Sequence, residues 1–396
     1  MKILRIVYDW PPPWYGLAPA PYEMTVAQTK LGHTVDVFCG RWPKAGATEQ
    51  PENVSLHTFV REPFAGTVTL TTSVLMFFYY LKWRRDNLPD VIHAHGHFGI
   101  WLFLYRLILK RFFSRWSNEL KIPMVVHFHN TVQGRWDTLN DQGMNIKPVS
   151  RYLAYPMEKF ANKLAVQTAD ALIFVSEANK DEAIKFYKAD PSKCYVIETG
   201  VNTKLFSPVG HEEKEKSRRE LDLDLYDKVI LNNGSMVERK NIHLLVEAIK
   251  FLPDNYKLLL VGPGDPEYIL RIDGIIQKDK LKNRVIKAGY TPYPQVSIAF
   301  QVSDIFVLPS SFEGLPKVVI QSLACGVPAL VSGFKLSEQI EGLYYLNNLE
   351  PFGIAQHIKN IIEHPKAVNI AKIIHFYTWD EKAKQVDKVY ETIKNR

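Results

Sequence analysis

A chain of 396 residues with 46% hydrophobic content is too long for one ordinary core and carries enough apolar material for two, of about 200 residues each. Its three cysteines, Cys39, Cys194 and Cys325, stand far apart with no CxxC pair, so neither a disulfide framework nor a zinc site is expected and a reducing compartment is the natural home. A formal charge of +7 favours anionic partners such as nucleotide phosphates, lipid headgroups or nucleic acid, without choosing among them.

In chain order, the opening MKILRIVYDWPPP reads as a strand followed by a proline turn, unlike the long apolar core of a secretion signal. Strands are expected at 3–7, 34–39, 91–93, 124–127, 171–175 and 194–197, alternating with helical patterns. Two stretches among them, 74–85 and 100–116, are both aromatic and basic. Neither reaches the roughly 20 uninterrupted apolar residues of a spanning helix. In the second, Arg106, Lys110, Arg111 and Arg115 recur near helical spacing among aromatic residues, as expected of a helix lying on an anionic membrane surface. The segment 206–227 contains the charged run HEEKEK without apolar period and reads as a domain junction. Strands resume at 229–233, 257–261, 285–288, 305–308 and 329–331, and a last helical pattern runs from Trp379 to Ile393.

This alternation predicts an α/β chain of two doubly wound, Rossmann-like parallel-sheet domains. Their expected bounds are 1–205 and 206–377, followed by a helix over 378–396. Two such domains would face each other across a cleft at the strand C-termini, where ligands of these sheets bind. The most informative stretch is 303–332: an apolar strand at 305–308, a turn holding Glu313, and a helix from Pro316 to Ala324 closed by Cys325-Gly326. A helix start after a tight turn aims unpaired N–H groups and a partial positive charge at one point, which suits a phosphate.

The second half resembles the retaining family 4 of nucleotide-sugar-dependent, GT-B glycosyltransferases, and the match extends over nearly the whole chain. Glu313 opens the segment EGLPKVVIQSLACG, which is similar to the family's Glu-x7-Glu motif, so the resemblance makes Glu313 the contact to the donor sugar. Gly314, Leu315, Pro316, Lys317 and Val318 fall in the same donor-binding turn, and the second glutamate, the ribose contact, is Gln321 here. An amide can still hydrogen-bond a diol but gives up the charge-assisted bond. The segment NGSMVERKN resembles the diphosphate-binding turn, with Gly234 and Lys240 in register and Ser235 where the family has arginine. Lys240 would act as a point charge on phosphate, and bidentate recognition would require Arg239 to swing in. Gly289 and Tyr290 match the place where the base is read, Gly262-Pro263-Gly264 a glycine turn of the same cleft, and Glu338 a family glutamate next to a glycine pair reduced to Gly333. Thr378-Trp379-Asp380 and the helical pattern after it resemble the family's last helix, and that resemblance implies that 378–396 returns to the first domain.

In the first half, VVHFHNTVQG resembles the segment whose histidine sits at the donor sugar and diphosphate. Register favours His129, with His127 on the opposite face. His93, His95 and His97 alternate in a way that suggests a metal, but no cysteine or carboxylate completes a shell, so they read as structural with His95 at most facing the cleft. Gly16 alone stands where the family usually has paired donor-facing glycines.

The resemblance implies a metal-independent, hexosyltransferase-type enzyme that takes a UDP- or GDP-sugar as substrate, needs no cofactor, and retains the anomeric configuration. His129, Glu313 and Lys240 are its expected catalytic residues. The expected acceptor is a glycan or lipid-linked sugar in polysaccharide or glycolipid synthesis, and the expected place is the cytoplasm, peripheral on the inner membrane face. Nucleic acid is not an expected partner. The alternatives are a nucleotide-sugar epimerase of the same fold and a catalytically weakened partner protein, the latter suggested by Ser235 and Gln321.

Overall fold

The computed structural model describes residues 1–14, 17–41, 50–60, 68–113, 118–141 and 148–395. It divides into two compact units, Met1–Thr199 with Trp379–Arg396, and Gly200–Thr378.

The first unit is a seven-stranded sheet of β1 (Lys2–Val7), β2 (Thr34–Arg41), β3 (Val54–Val60), β4 (Val91–His95), β5 (Met124–Phe128), β6 (Ala171–Phe174) and β7 (Cys194–Val196). Its order is β3-β2-β1-β4-β5-β6-β7 and every pair is parallel. β4 and β5 are buried along their full length, as central parallel strands must be when helices cover both faces. Leu4, Ile6, Ile92, Ala94 and Val126 pack on one face under helices Thr72–Trp83, Ile100–Phe112 and Tyr155–Thr168. Ile3, Val7, Val91 and Val125 pack on the other, under helices Pro19–Lys30 and Trp379–Lys394, whose Val386, Tyr390 and Ile393 complete that core. The period of two along β1 thus assigns Arg5 to the face the terminal helix covers.

The second unit is a six-stranded sheet of β8 (Lys228–Asn233), β9 (Tyr256–Val261), β10 (Val285–Gly289), β11 (Ile305–Leu308), β12 (Ala329–Val331) and β13 (Leu343–Tyr345). Its order is β10-β9-β8-β11-β12-β13, again all parallel. The order reverses between β8 and β11, which makes their C-terminal ends the switch point where such sheets hold ligands.

Three expectations change. β3 and β13, both at sheet edges, were not expected: β3 alternates with polar residues and is half exposed, and β13 has only three residues. The charged run at 211–216 is no linker but part of helix His211–Glu220. Acidic residues open that helix and Arg218 and Arg219 close it, matching its dipole. Buried Arg218 fastens it, donating to Val302 O and Asp227 O and pairing with Asp304 at 2.7 Å, so an apolar stripe is not needed. The chain passes between units at 199–200 and 378–379, and Val201 N–H donates to Tyr377 O at 2.7 Å, which places 200–205 with the second unit.

The basic residues of helix Ile100–Phe112 also need correcting. Arg106 is fully buried, donating to Glu119 O at 3.1 Å and pairing with Asp170 at 3.3 Å. Lys110 donates to Thr168 O at 2.7 Å and lies 3.6 Å from Asp170. Both charges hold the unit together; Arg106 is withdrawn from the surface altogether, and Lys110, its side chain still 33% exposed, is tied to Asp170. Arg111 is exposed, and Arg115 lies outside the described residues. Among the described residues no helix is long and apolar enough to cross a membrane.

Candidate active site

Two turns of the second unit are tied together at the β8–β11 switch point. After β8 the chain turns through Gly234 at φ +146, and a Cβ there would stand 2.3 Å from Lys240 Nζ, so glycine is what lets the ammonium approach the backbone. Gly262 follows β9 at φ +127, where a Cβ would meet Gly234 O at 2.2 Å. Its N–H donates to Gly289 O at 2.7 Å, and Met236 pairs with Gly264. The three predicted glycine turns therefore form one rim. Ser235 and Tyr290 are exposed on it.

After β11, Ser311 N–H donates to Arg239 O at 2.9 Å, and Asn241 Nδ2 donates to Pro309 O at 3.0 Å. The Glu313 carboxylate faces this junction. Its Oε1 accepts from Arg239 Nη1 at 2.8 Å and from Ser310 Oγ at 2.9 Å, with Lys240 Nζ at 4.0 Å. Arg239 Nη1 also reaches Phe312 O at 3.0 Å, so this guanidinium is committed to the Glu313 turn and is not a substitute for the arginine missing at Ser235. Lys240 is 8% exposed; burial lowers its ammonium pKa, and the Glu313 charge opposes the shift. Gly333, at φ +83, lets its strand end approach Ser310 O, and Glu313 N–H donates to Gly333 O at 3.0 Å.

Pro316 opens helix Lys317–Ala324, and no side chain caps its first N–H groups. Gly314, Leu315, Lys317 and Val318 line this start half-buried, while Gln321 is 4% exposed on the helix. Glu338 is exposed, and among the described residues the carboxylate that pairs with Arg239 and Lys240 is that of Glu313. Gly16 lies outside the described residues.

In the first unit, four imidazoles form a ladder on the face that the terminal helix covers. β4 and β5 pair in register with His95 opposite His127, and neighbouring rings stack with centroids 4.6 Å apart for His93–His95, 5.1 Å for His95–His127 and 4.7 Å for His127–His129. His127 therefore shares the face of His129, against expectation, because residues two apart on a strand point the same way. His97 has turned off the strand in Gly96–Gly99 and sits 4.0 Å from Glu158. Burial drives His93, His95 and His127 well below their ordinary pKa, so they are neutral.

The ligating nitrogens of His93, His95 and His127 lie within 4.8 Å of one another, which invites a metal. The arrangement does not fit one. Rings tilted by only 7–18° from parallel do not aim their lone pairs at a common point, and Arg5 Nη1 stands 3.0 Å from His95 Nε2, placing a fixed cation beside the would-be ligand.

The sequence reading missed Arg5, which is fully buried. Besides His95 it donates to Gln28 Oε1; Gln28 Nε2 in turn donates to Asp387 Oδ1 at 2.9 Å, and Tyr390 OH meets His93 Nδ1. A charge inside the apolar run KILRIV was the one signal available.

Two parallel-sheet units, one carrying a buried lysine, a carboxylate and an open helix start at its switch point, define a glycosyltransferase of the GT-B architecture. Residues 16–205 match the family described as Glycosyltransferase Family 4 and residues 213–372 match Glycosyl transferases group 1. The chain is 30% identical to TuaC of Bacillus subtilis, named for teichuronic acid biosynthesis, over 78% of its own length and 67% of that protein. It is 28% identical to an Escherichia coli UDP-Gal:alpha-D-GlcNAc-diphosphoundecaprenol alpha-1,3-galactosyltransferase, over 75% of this chain and 73% of that one. HepE of Anabaena, solved with UDP and glucose, superposes with a TM-score of 0.74 at 17% identity, covering 99% of this chain and all of that one. The chain belongs to glycosyltransferase family 4.

Proposed function

We propose that this glycosyltransferase moves a hexose from a nucleotide-sugar donor, UDP- or GDP-linked, to a glycan or lipid-linked acceptor at a membrane surface, with retention of anomeric configuration and without a metal or other cofactor. The observation that carries the reading is the junction of Gly234, Lys240 and Glu313 beside the open start of helix Lys317–Ala324. In the transfer, the bond from the anomeric carbon to the diphosphate oxygen breaks and a bond to the acceptor oxygen forms on the same face. The acceptor proton passes to the departing phosphate oxygen. Negative charge grows on the diphosphate, and Lys240 with the helix N–H groups stabilises it, the work a metal does in other transferases. Glu313 accepts hydrogen bonds from the sugar hydroxyls. His129 is given the role the resemblance implies, a hydrogen bond to the donor sugar or its diphosphate.

The acceptor assignment draws on the E. coli relative, whose name specifies an undecaprenyl-diphosphate-linked sugar. It also draws on helices Thr72–Trp83 and Ile100–Phe112, which expose Leu75, Phe78, Ile108 and Phe112, with Lys82, Arg85 and Arg111 exposed on or just after the same helices. Exposed apolar groups and cations on the same elements suit an anionic bilayer surface. The test is a screen of UDP-, GDP- and ADP-sugars for thermal stabilisation, followed by turnover of the best donor onto polyprenyl-diphosphate-linked sugars with the product anomer read by NMR. A donor present at about 100 times its Kd stabilises by about 2.7 kcal/mol, enough to resolve. Stabilisation by none of them, or an inverted product, would overturn the proposal.

A further inference from the structure

The histidine ladder has a direction, set by Arg5. A guanidinium has five donors and no acceptor, so where Arg5 Nη1 stands 3.0 Å from His95 Nε2 the imidazole nitrogen must accept. His95 is then neutral with its hydrogen on Nδ1. Nδ1 lies 3.1 Å from His129 Nε2 and donates to it, so His129 Nε2 accepts as well. A neutral His129 accepting at Nε2 carries its hydrogen on Nδ1. We infer that Arg5 fixes the tautomer of His129 through His95, so that a sugar or phosphate oxygen meeting Nδ1 would find a hydrogen-bond donor there and not a base.

The cost of the arrangement argues that it has a use. Arg5 is fully buried on β1, where an aliphatic side chain would pack without desolvating a charge. Its nearest carboxylate in this network, Asp387, is reached only through Gln28 and is shared with His33, 2.6 Å away. Tyr390 OH meets His93 Nδ1 and also contacts Arg5 and Gln28, a neutral group that does not cancel the buried charge. The whole set is clamped by Gln28 on helix Pro19–Lys30 and by Asp387 and Tyr390 on helix Trp379–Lys394. What the charge adds at position 5 is a group that can only donate, and a group that can only donate leaves His95 one tautomer. Arg5 and His95 are positioning residues; His129 is the group they orient. The consequence for the reaction is that the acceptor proton has no base at His129 Nδ1, in keeping with its transfer to the departing phosphate oxygen.

The inference rests on the proposed role of His129 for its functional half, and the tests separate the two. In the intact wild-type protein labelled with 15N at the imidazole nitrogens, His129 is expected protonated at Nδ1 and unprotonated at Nε2; an Nε2–H tautomer would overturn the inference whatever the kinetics. Arg5→Lys, which keeps a donor-only cation, should preserve that tautomer, and Arg5→Met, where it folds, should release it to a mixture; an unchanged spectrum in Arg5→Met would also overturn it. In turnover with a verified donor, His129→Asn, whose amide places an N–H near the position of Nδ1–H, should keep at least about tenfold more activity than His129→Asp, which can only accept there. Equal activity of the two would overturn the donor role. Full turnover in His129→Ala would instead remove His129 from the proposed chemistry and leave the tautomer assignment standing.

Discussion

Glu313 is held before any substrate arrives, by Arg239, Ser310 and the more distant Lys240. A carboxylate so fixed pays little ordering entropy on meeting sugar hydroxyls, which is the condition for a contact that strengthens at the transition state. Glu313→Ala should leave the fold intact and lower turnover by at least about tenfold, or about 1.4 kcal/mol of barrier; unchanged turnover with a verified donor would sink the assignment. Gln321 gives a subtler case. It is buried at 4% exposure, on the helix that begins at the donor turn. If it meets the ribose diol, Gln321→Glu replaces a neutral acceptor with a charged one, and calorimetry should register a changed donor dissociation constant. Identical constants would reduce the position to packing. Their placement was legible in the sequence because each motif is local: Gly234 and Lys240 lie on one turn, Glu313 and Gln321 on one turn and helix. The Arg5–His95 contact was not, since 90 residues separate its partners and only the pairing of β1 with β4 brings them together. The shared face of His127 and His129, by contrast, follows from the two-residue period of β5 itself.

At the scale of elements, the strands flanking both switch regions could be read from their apolar runs, whereas β3 and β13 could not, because an edge strand that faces solvent on one side needs no continuous hydrophobic signal. Helix His211–Glu220 escaped for the opposite reason: Arg218 anchors it by hydrogen bonds and an ion pair, so periodicity carries no trace of its buried side. The β4–β5 pair carries a measurable penalty. His93, His95 and His127 have folded-state pKa values well below 6.5, so the unfolded chain binds more protons once the pH falls beneath that value. Their stability contribution is complete above about pH 6.5 and is lost below it, at up to about 1.4 kcal/mol per pH unit for each histidine, until the folded values are reached. Hydrogen exchange of β4 and β5 amides, compared at about pH 7.5 and 5.5 after correction for intrinsic rates, should show opening made easier in acid. His93→Phe should flatten the dependence. Opening free energies that do not change with pH would mean that these rings titrate normally.

For the molecule as a whole, the chain's ends converge on one unit: the segment after Thr378 returns to cover the sheet that Met1 begins, so the first core is complete only when the last residues are in place. The helix was legible from the Trp379–Ile393 pattern and its return from the family resemblance, but the surface the first unit presents was not legible. The basic residues that suggested a membrane face separate into buried ties and surface groups only when Asp170 and Glu119 are located in space. Among the groups that remain outside, Phe78 is 63% and Phe112 72% exposed. If this surface meets the bilayer, the protein should sediment with vesicles containing anionic lipid at low salt and be partly released at high salt. Arg111→Gln should remove about 1 kcal/mol of that affinity, and Phe78→Ser with Phe112→Ser should abolish most of it, with nucleotide affinity unchanged in both. Lys110 and Arg106 are the wrong places to probe, because each is tied to Asp170 inside the first unit, and replacing either weakens that shared ion-pair cluster before it reports on lipid. Vesicle binding that survives the double phenylalanine replacement would place the contact elsewhere, and no binding at low salt would move the acceptor into solution.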